Sequence, residues 1–274
     1  MIKNVLVHLS TSTPRDVAGE IAVSVATSFG AHVSGLAFAH EPPVGSLSDC
    51  VSGSIISTYR AQQNAEAKRA IAAFEGRAKS ASVTFDSRII SETMANASEA
   101  FGVAARHYDL SIIGQAKPDD DGTQSMAIQA ALFGSGRPIV VVPYIYQNHV
   151  ELDRVMVCWD GSRSAARAVG DALPFLRRAG HIDVVTVEKS ERRNELRGAE
   201  IAEHLARHGL KINLKPLVAP DSDAANVILS EAADSETKLV VMGGFGHSRL
   251  REFVLGGVTR CILESMTVPV LMAH

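Results

Sequence analysis

Five glycines lie close together near the end of the sequence, at positions 243, 244, 246, 256 and 257. The first three close the apolar run "LVVM", and the last two precede "VTRCILESM", which has helical spacing. Glycine lets a backbone turn sharply and approach a ligand closely, and the amides at a helix N-terminus attract anions. The spacing therefore indicates a cradle for phosphate groups. The alternative that it leaves open is a pair of tight turns without a ligand.

One acidic side chain, Asp160, follows a second apolar run in the stretch "RVMVCWDGS". A carboxylate cannot hold phosphate, but it accepts hydrogen bonds from hydroxyl groups such as those of a ribose. Its alternative role is to cap the helix that follows. Asp160 and the glycines together favour a nucleotide, provided that the fold brings them to one place.

The elements that must position these residues occur twice in the chain. Four segments of the first half have counterparts in the same order in the second half, which indicates a duplication. The pairs are 4–12 with 154–162, 30–42 with 179–190, 108–115 with 237–244, and 137–144 with 268–274. We therefore predict two domains, 1–147 and 148–274.

Each half is predicted to contain five strands that alternate with four helices. The strands are short and almost wholly apolar, which is typical of parallel strands covered on both faces. Thr13, with Pro14 at the first helical position, and Ser162 are the predicted helix caps. The fold class is α/β, with a doubly wound parallel sheet used twice. Such sheets bind ligands at the carboxyl ends of the strands, where the strand order reverses.

Composition limits the classes of function. The chain has 274 residues with 46% hydrophobic and 21% charged residues, and its formal net charge is −3. This charge offers no basic surface for nucleic acid or an anionic membrane, and no apolar run reaches the length of about 18 residues that spans a bilayer. The N-terminal sequence does not resemble a signal peptide, and three scattered cysteines (Cys50, Cys158 and Cys261) suit a reducing compartment. We expect a cytoplasmic protein.

The stretch "MGGFGHSRLREFVLGGV" resembles the nucleotide-binding signature of the universal stress proteins. In that signature, two residues separate two glycines, and nine residues separate the second from a further glycine that is followed by Ser or Thr. Gly243, Gly246 and Gly256 match this spacing. The resemblance covers the whole chain as a tandem pair. It implies two five-stranded Rossmann-like domains of the adenine nucleotide alpha hydrolase type.

The resemblance also implies a site and a ligand. The ligand would be ATP, or AMP or ADP, with a magnesium ion if a triphosphate is bound. Asp160 would hold the ribose, and the backbone at Val187 would contact the adenine. The remaining implied contacts, to ribose and phosphates, are Met242, Gly243, Gly246, Gly256, Gly257 and Val258. Gly257 departs from the pattern because it stands where Ser or Thr usually offers a hydroxyl, so we expect weakened binding unless Thr259 is reoriented to replace it.

The first half departs further from the signature. Lys117 stands at the second glycine's place, Ser10 replaces the ribose-binding Asp, and Ser125 and Met126 stand where Gly256 and Gly257 would be. Three acidic residues at 119–121 would repel phosphate. We expect no nucleotide in the N-terminal domain, which would act as a structural or regulatory partner.

Other constellations are weaker. His204 and His208 share a helix face and could bind a metal with Glu200, but a solvated helix end is the favoured interpretation, so no metal site is predicted. No P-loop or catalytic triad motif is present, so any ATP hydrolysis should be slow.

Three functions therefore stand in order of preference. The first is binding of ATP or a related adenine nucleotide in the C-terminal domain, in a protein of the stress response. The alternatives are an interaction or small-ligand-binding module that needs no nucleotide, and a weak ATPase. The strands at 139–142 and 270–272 are predicted to pair within one chain as an internal pseudo-dimer of the two domains, and two chains could also form a homodimer.

Overall fold

Strands and helices alternate along the chain as the repeats predict. The structure, a computed structural model, describes residues 1–13, 15–42, 53–118, 122–147, 149–188, 198–219, 224–245 and 257–274. These residues divide into two compact units, Met1–Arg137 and Pro138–His274.

The first unit contains four parallel strands with four helices. Its elements are β1 (Asn4–His8), α1 (Val17–Phe29), β2 (His32–His40), α2 (Gly53–Ser80), β3 (Phe85–Glu92), α3 (Met94–Ala105), β4 (Leu110–Gly114) and α4 (Thr123–Gly134). The strand order is β3-β2-β1-β4. Because β1 pairs with both β2 and β4, the strand order reverses between β1 and β4.

The second unit repeats this arrangement and adds a strand. Its elements are β5 (Ile139–Val142), β6 (Arg154–Cys158), α5 (Arg163–Leu176), β7 (His181–Glu188), α6 (Ala199–Arg207), β8 (Ile212–Val218), α7 (Ala224–Asp234), β9 (Leu239–Gly243), α8 (Gly257–Ser265) and β10 (Val270–Ala273). The strand order is β5-β10-β9-β6-β7-β8, and all pairs are parallel except β5 with β10. The predicted doubly wound α/β fold is confirmed.

Consecutive residues of the central strands are buried, so both faces of the sheet are covered there, whereas the edge strands β3 and β8 are partly exposed. Val5, Leu6 and Val7 of β1 have no exposed surface, and Val155 and Val157 are equally buried in β6. A strand with one wet face would alternate between buried and exposed side chains. The continuous apolar runs in the sequence therefore predicted the buried parallel strands correctly.

The two predicted helix caps have different outcomes. Ser162 caps α5, because its Oγ accepts a hydrogen bond from the Ala165 amide at 3.1 Å. The prediction for Thr13 is wrong: α1 begins at Val17, and the carboxylate of Asp16 accepts the hydrogen bond of the Gly19 amide at 3.1 Å. Thr13 instead donates its hydroxyl to Ser10 Oγ.

The predicted pairing of 139–142 with 270–272 is confirmed. β5 runs antiparallel to β10, with Val141 opposite Val270 and Ile139 opposite Met272. This pairing places β5 in the second compact unit, whereas the repeats assign it to the end of the first half. The domain boundary at 147/148 stays a prediction based on the repeats.

The longest helix, α2, spans 28 residues and is mostly exposed. Phe74 is its buried anchor, and its ring packs so closely on β2 that a Cβ at Gly35 would lie 2.6 Å from it. Within the described residues, no helix combines the length and the apolarity that crossing a membrane requires.

Candidate functional site

The candidate site lies at the carboxyl ends of β6 and β9. β6 pairs with β7 on one side and β9 on the other, so the strand order of the second unit reverses between β6 and β9. Ligands of open parallel sheets bind at such a point. The turn after β6, the turn after β9 and the start of α8 are the segments from which a site here is built.

The turn after β6 leaves the carboxylate of Asp160 exposed. The Trp159 amide continues the ladder by donating to the Val185 carbonyl at 2.8 Å. Gly161 then takes a φ of +77°, and the Ser162 amide donates to Asp160 Oδ1 at 2.9 Å. Since Ser162 caps α5, the alternative role of Asp160 as the cap is wrong. Its carboxylate is oriented by one local hydrogen bond at the mouth of the crevice.

Gly243, the last residue of β9, is in tight contact with the start of α5. A Cβ on this residue would lie 2.5 Å from the Ala165 nitrogen, and 2.7 Å from both the carbonyl carbon and Oγ of Ser164. Side chains do not fit at such distances from backbone atoms. Packing alone therefore demands glycine at this position, whether or not a ligand binds.

The amides that follow Gly243 are already engaged. The Gly244 amide donates to the Ala273 carbonyl at 2.9 Å, and the Phe245 amide donates to Thr259 Oγ1 at 3.3 Å. These two amides are therefore not available to an anion, which removes two donors from the predicted phosphate cradle. Thr259 is 4% exposed and braces the turn, so its hydroxyl oxygen is directed at Phe245.

Gly257 and Val258 are the first residues of α8, and both are exposed. The first amides of a helix have no partner within the helix, and the helix dipole adds partial positive charge there. A Cβ on Gly257 would meet no described residue within 4 Å. This helix end can therefore receive an anion. Gly246 and Gly256, the other two predicted glycines, lie outside the described residues.

Val187 lies where β7 runs past the end of β6. Parallel strands alternate the side on which a residue makes its backbone hydrogen bonds. The Val185 carbonyl accepts a hydrogen bond from the Trp159 amide, which follows β6. The Glu188 carbonyl accepts one from the Ala219 amide, which follows β8 on the other side. The backbone groups of Val187 therefore face the β6 side, beyond the last residue that pairs there. This position is suitable for reading the edge of a planar base.

Met242 lies within the sheet, beneath the candidate site. It pairs with Cys158 on β6 and with Met272 on β10, and its side chain is 5% exposed. Only the backbone of Met242 could therefore contact a ligand, and its buried side chain packs beneath the crevice.

No reactive side chain is found among the described residues of the site. Burial, and to a lesser extent the charge of Asp160, raise the pKa of the Cys158 thiol to about 12, so it is not a thiolate at neutral pH. The rings of His204 and His208 lie 4.8 Å apart on α6. Within the described ranges, no three His, Cys, Asp or Glu side chains cluster as metal ligands. The arrangement can bind, but it shows no assembled catalytic group there.

Comparisons with known proteins find similar sequences and similar folds. A sequence model described as the universal stress protein family matches residues 151–274. A universal stress protein of Synechocystis sp. is 29% identical over 142 residues, which are 49% of this chain and 46% of the relative. The chain thus spans about half the length of the curated relative that it matches.

Two solved structures resemble the whole chain. A universal stress protein from Archaeoglobus fulgidus DSM 4304 aligns with a TM-score of 0.74 at 15% identity, over 98% of this chain and 97% of that one. A functionally unknown protein from Pseudomonas aeruginosa PAO1 aligns with a TM-score of 0.61 at 15% identity, over 98% and 92% of the two chains. At these identities, the two structures support the fold alone.

Proposed function

Because residues 151–274 match the universal stress protein family, we propose that the C-terminal unit binds ATP or a related adenine nucleotide and acts in the stress response. The nucleotide lies across the carboxyl ends of β6 and β9. The adenine edge meets the backbone of Val187, and the ribose hydroxyls donate to Asp160. The phosphates point to the start of α8, at Gly257 and Val258.

One observation carries this proposal. An exposed carboxylate, strand backbone beyond the last β6–β7 pair and the start of a helix all lie at the same reversal of strand order, each on a different segment. Each group alone is common, but together they match the three parts of a nucleotide in order. The glycines 246 and 256 complete the proposed phosphate contacts, and a triphosphate would bring a magnesium ion with it.

The second candidate, a module that works without a nucleotide, has one specific observation in its favour. The amides of Gly244 and Phe245 are used within the protein, so two donors of the expected cradle are missing. Nucleotide binding is preferred because the amides of α8 and the exposed Asp160 are separate from those two donors. Weak ATP hydrolysis ranks third, since it would need a catalytic group in addition to binding.

Titration with ATP and magnesium tests the proposal. We expect saturable heat in calorimetry and a rise in melting temperature of several degrees, since ligand at 100 times its Kd stabilises a protein by about 2.7 kcal/mol. Asp160→Ala should weaken binding about tenfold, because a charge-assisted hydrogen bond to ribose is lost. Asp153→Ala, an exposed acidic control in the same unit, should bind as the wild type does. No heat and no melting shift at saturating millimolar ATP would contradict nucleotide binding.

Gly257→Ser should strengthen ATP binding about fivefold. The new side chain would meet none of the described residues, and its hydroxyl would add one hydrogen bond to phosphate at a position where the family usually has Ser or Thr. Gly257→Ala is the matched control, because it adds the Cβ without the hydroxyl. Equal affinities for the two variants would place the phosphates away from the start of α8.

A further inference from the structure

One peptide group in the turn after β9 has partners for both of its polar atoms on other elements. It joins Gly244 to Phe245, so it consists of the Gly244 carbonyl and the Phe245 amide. His274, which directly follows β10, has its Nδ1 3.0 Å from the Gly244 oxygen. The Phe245 amide donates to Thr259 Oγ1, in the first turn of α8, at 3.3 Å. These four residues form a peptide clamp.

His274 is the donor in its hydrogen bond to the turn. A carbonyl oxygen only accepts, so the imidazole must carry a proton on Nδ1. The Gly244 amide also donates to the Ala273 carbonyl at 2.9 Å, so the end of β10 holds Gly244 through both of its backbone groups. His274 is exposed, so it contributes to the clamp without belonging to the apolar core.

Phe245 has a backbone conformation that needs such support. Its φ is +57°, in the left-handed region where a residue with a side chain is strained. Residues persist in this region when surrounding contacts fix them, and they cluster at functional sites. The fixing contacts of Phe245 include the hydrogen bonds of its own amide and of the preceding carbonyl. The clamp therefore holds the turn in a conformation that a free chain would leave.

The clamp also links β10 to the helix end at which the phosphates are proposed to bind. Thr259 is the third residue of α8, directly after Gly257 and Val258. Thr259 is 4% exposed, so its hydroxyl is held in place beside the turn. Ile262, which is 1% exposed, anchors α8 in the core independently of the clamp. Loss of the clamp should therefore change the orientation of the first turn of α8 while the helix stays folded.

We propose that His274 is a positioning residue for the phosphate end of the nucleotide. It acts through the peptide between Gly244 and Phe245 and through Thr259, which together fix the direction of the first amides of α8. In this role His274 does not contact the nucleotide. The inference rests on the proposed function, because it concerns the same site.

The clamp has no part in the contacts proposed for the nucleoside. The adenine is proposed to meet the backbone of Val187 on β7, and the ribose to meet Asp160 after β6. Neither residue shares a hydrogen bond with the clamp. Loss of His274 should therefore affect a ligand with phosphates and spare the nucleoside alone.

Calorimetric titration of the full chain with ATP and magnesium, and separately with adenosine, tests this role. His274→Ala should weaken ATP binding about fivefold, since one hydrogen bond of the clamp is lost, and should leave adenosine binding unchanged. His274→Asn should restore most of the ATP affinity, because its side-chain nitrogen is as many bonds from the backbone as Nδ1 is. His181→Ala, at an exposed histidine at the start of β7, is the matched control and should bind both ligands as the wild type does. Circular dichroism confirms that each variant is folded.

Nitrogen-15 magnetic resonance of the histidine rings tests the hydrogen bond itself. In alkaline solution the neutral His274 ring should carry its proton on Nδ1, and comparison with His274→Asn assigns its signals. A proton on Nε2 instead would overturn the clamp, because Nδ1 could not then donate to Gly244.

The two ligands separate failure of this inference from failure of the proposed function. If the wild type binds neither ATP nor adenosine, the nucleotide site is wrong and the role of His274 is wrong with it. If the wild type binds ATP but His274→Ala binds it equally well or more tightly, only the role of His274 is wrong. Equal losses for ATP and adenosine also overturn it, since they would show a general structural effect. Asp160→Ala provides that pattern for comparison, because the ribose is common to both ligands.

Discussion

Gly243→Ala is expected to lower the free energy of unfolding by about 3 kcal/mol. The added methyl group would lie 2.5 Å from the Ala165 nitrogen and 2.7 Å from the carbonyl carbon of Ser164. Those atoms belong to the backbone at the start of α5, so the clash is relieved only if the helix moves away from β9. Urea denaturation followed by circular dichroism measures the loss.

Gly170→Ala is the matched control within α5 itself. A Cβ at Gly170 has no neighbour within 4 Å in the described part of the chain, and alanine is the better helix former. This variant should therefore be more stable than the wild type by about 0.5–1 kcal/mol. If Gly243→Ala is as stable as Gly170→Ala, the close contact between β9 and α5 is wrong. Ligand binding, and not packing, would then explain the glycine at position 243.

The alternation of strands and helices was predictable because local sequence patterns determine it. Continuous apolar runs such as "LVVM" are local signals of buried parallel strands, and the repeat of four segments doubles each signal. The same is true of Ser162, which stands directly before a helical pattern. The position of Asp160 at a reversal of strand order followed from these elements.

Contacts between distant residues were not predictable in the same way. The Gly244 amide donates to the carbonyl of Ala273, which lies 29 positions further along the chain. The Phe245 amide donates to the hydroxyl of Thr259, which lies 14 positions further on. No pattern in the turn itself shows that these amides are engaged. The glycine spacing could therefore indicate a cradle without revealing which of its donors remain open.

The first unit shows the same limit more strongly. Thr13 and Asp16 are both good caps, and only the aligned Gly19 amide decides between them. The interpretation of Ser10 as the replacement of a ribose-binding Asp stays a prediction.

Asp16→Asn is expected to stabilise the protein at pH 7.5, and this gain should disappear in acid. Burial raises the pKa of Asp16 from 3.8 to about 6, against the opposing hydrogen bond of the Gly19 amide and the charge of Arg77. The folded state thus binds the proton more tightly than the unfolded state does. The stabilising effect of the protonated carboxyl is complete below pH 3.8 and is lost as the pH rises through 6. The difference between the two pKa values corresponds to about 3 kcal/mol.

Asn keeps the capping oxygen and carries no charge, so the gain over the wild type should be about 2 kcal/mol at pH 7.5 and near zero at pH 4. Urea denaturation of both proteins across this range measures it, with the exposed Asp153→Asn as a control that should stay within about 0.5 kcal/mol of the wild type. Glu20, whose charge also raises the pKa of Asp16, is present in both proteins and cancels. A pH-independent difference would mean that the carboxylate is already neutralised by a partner.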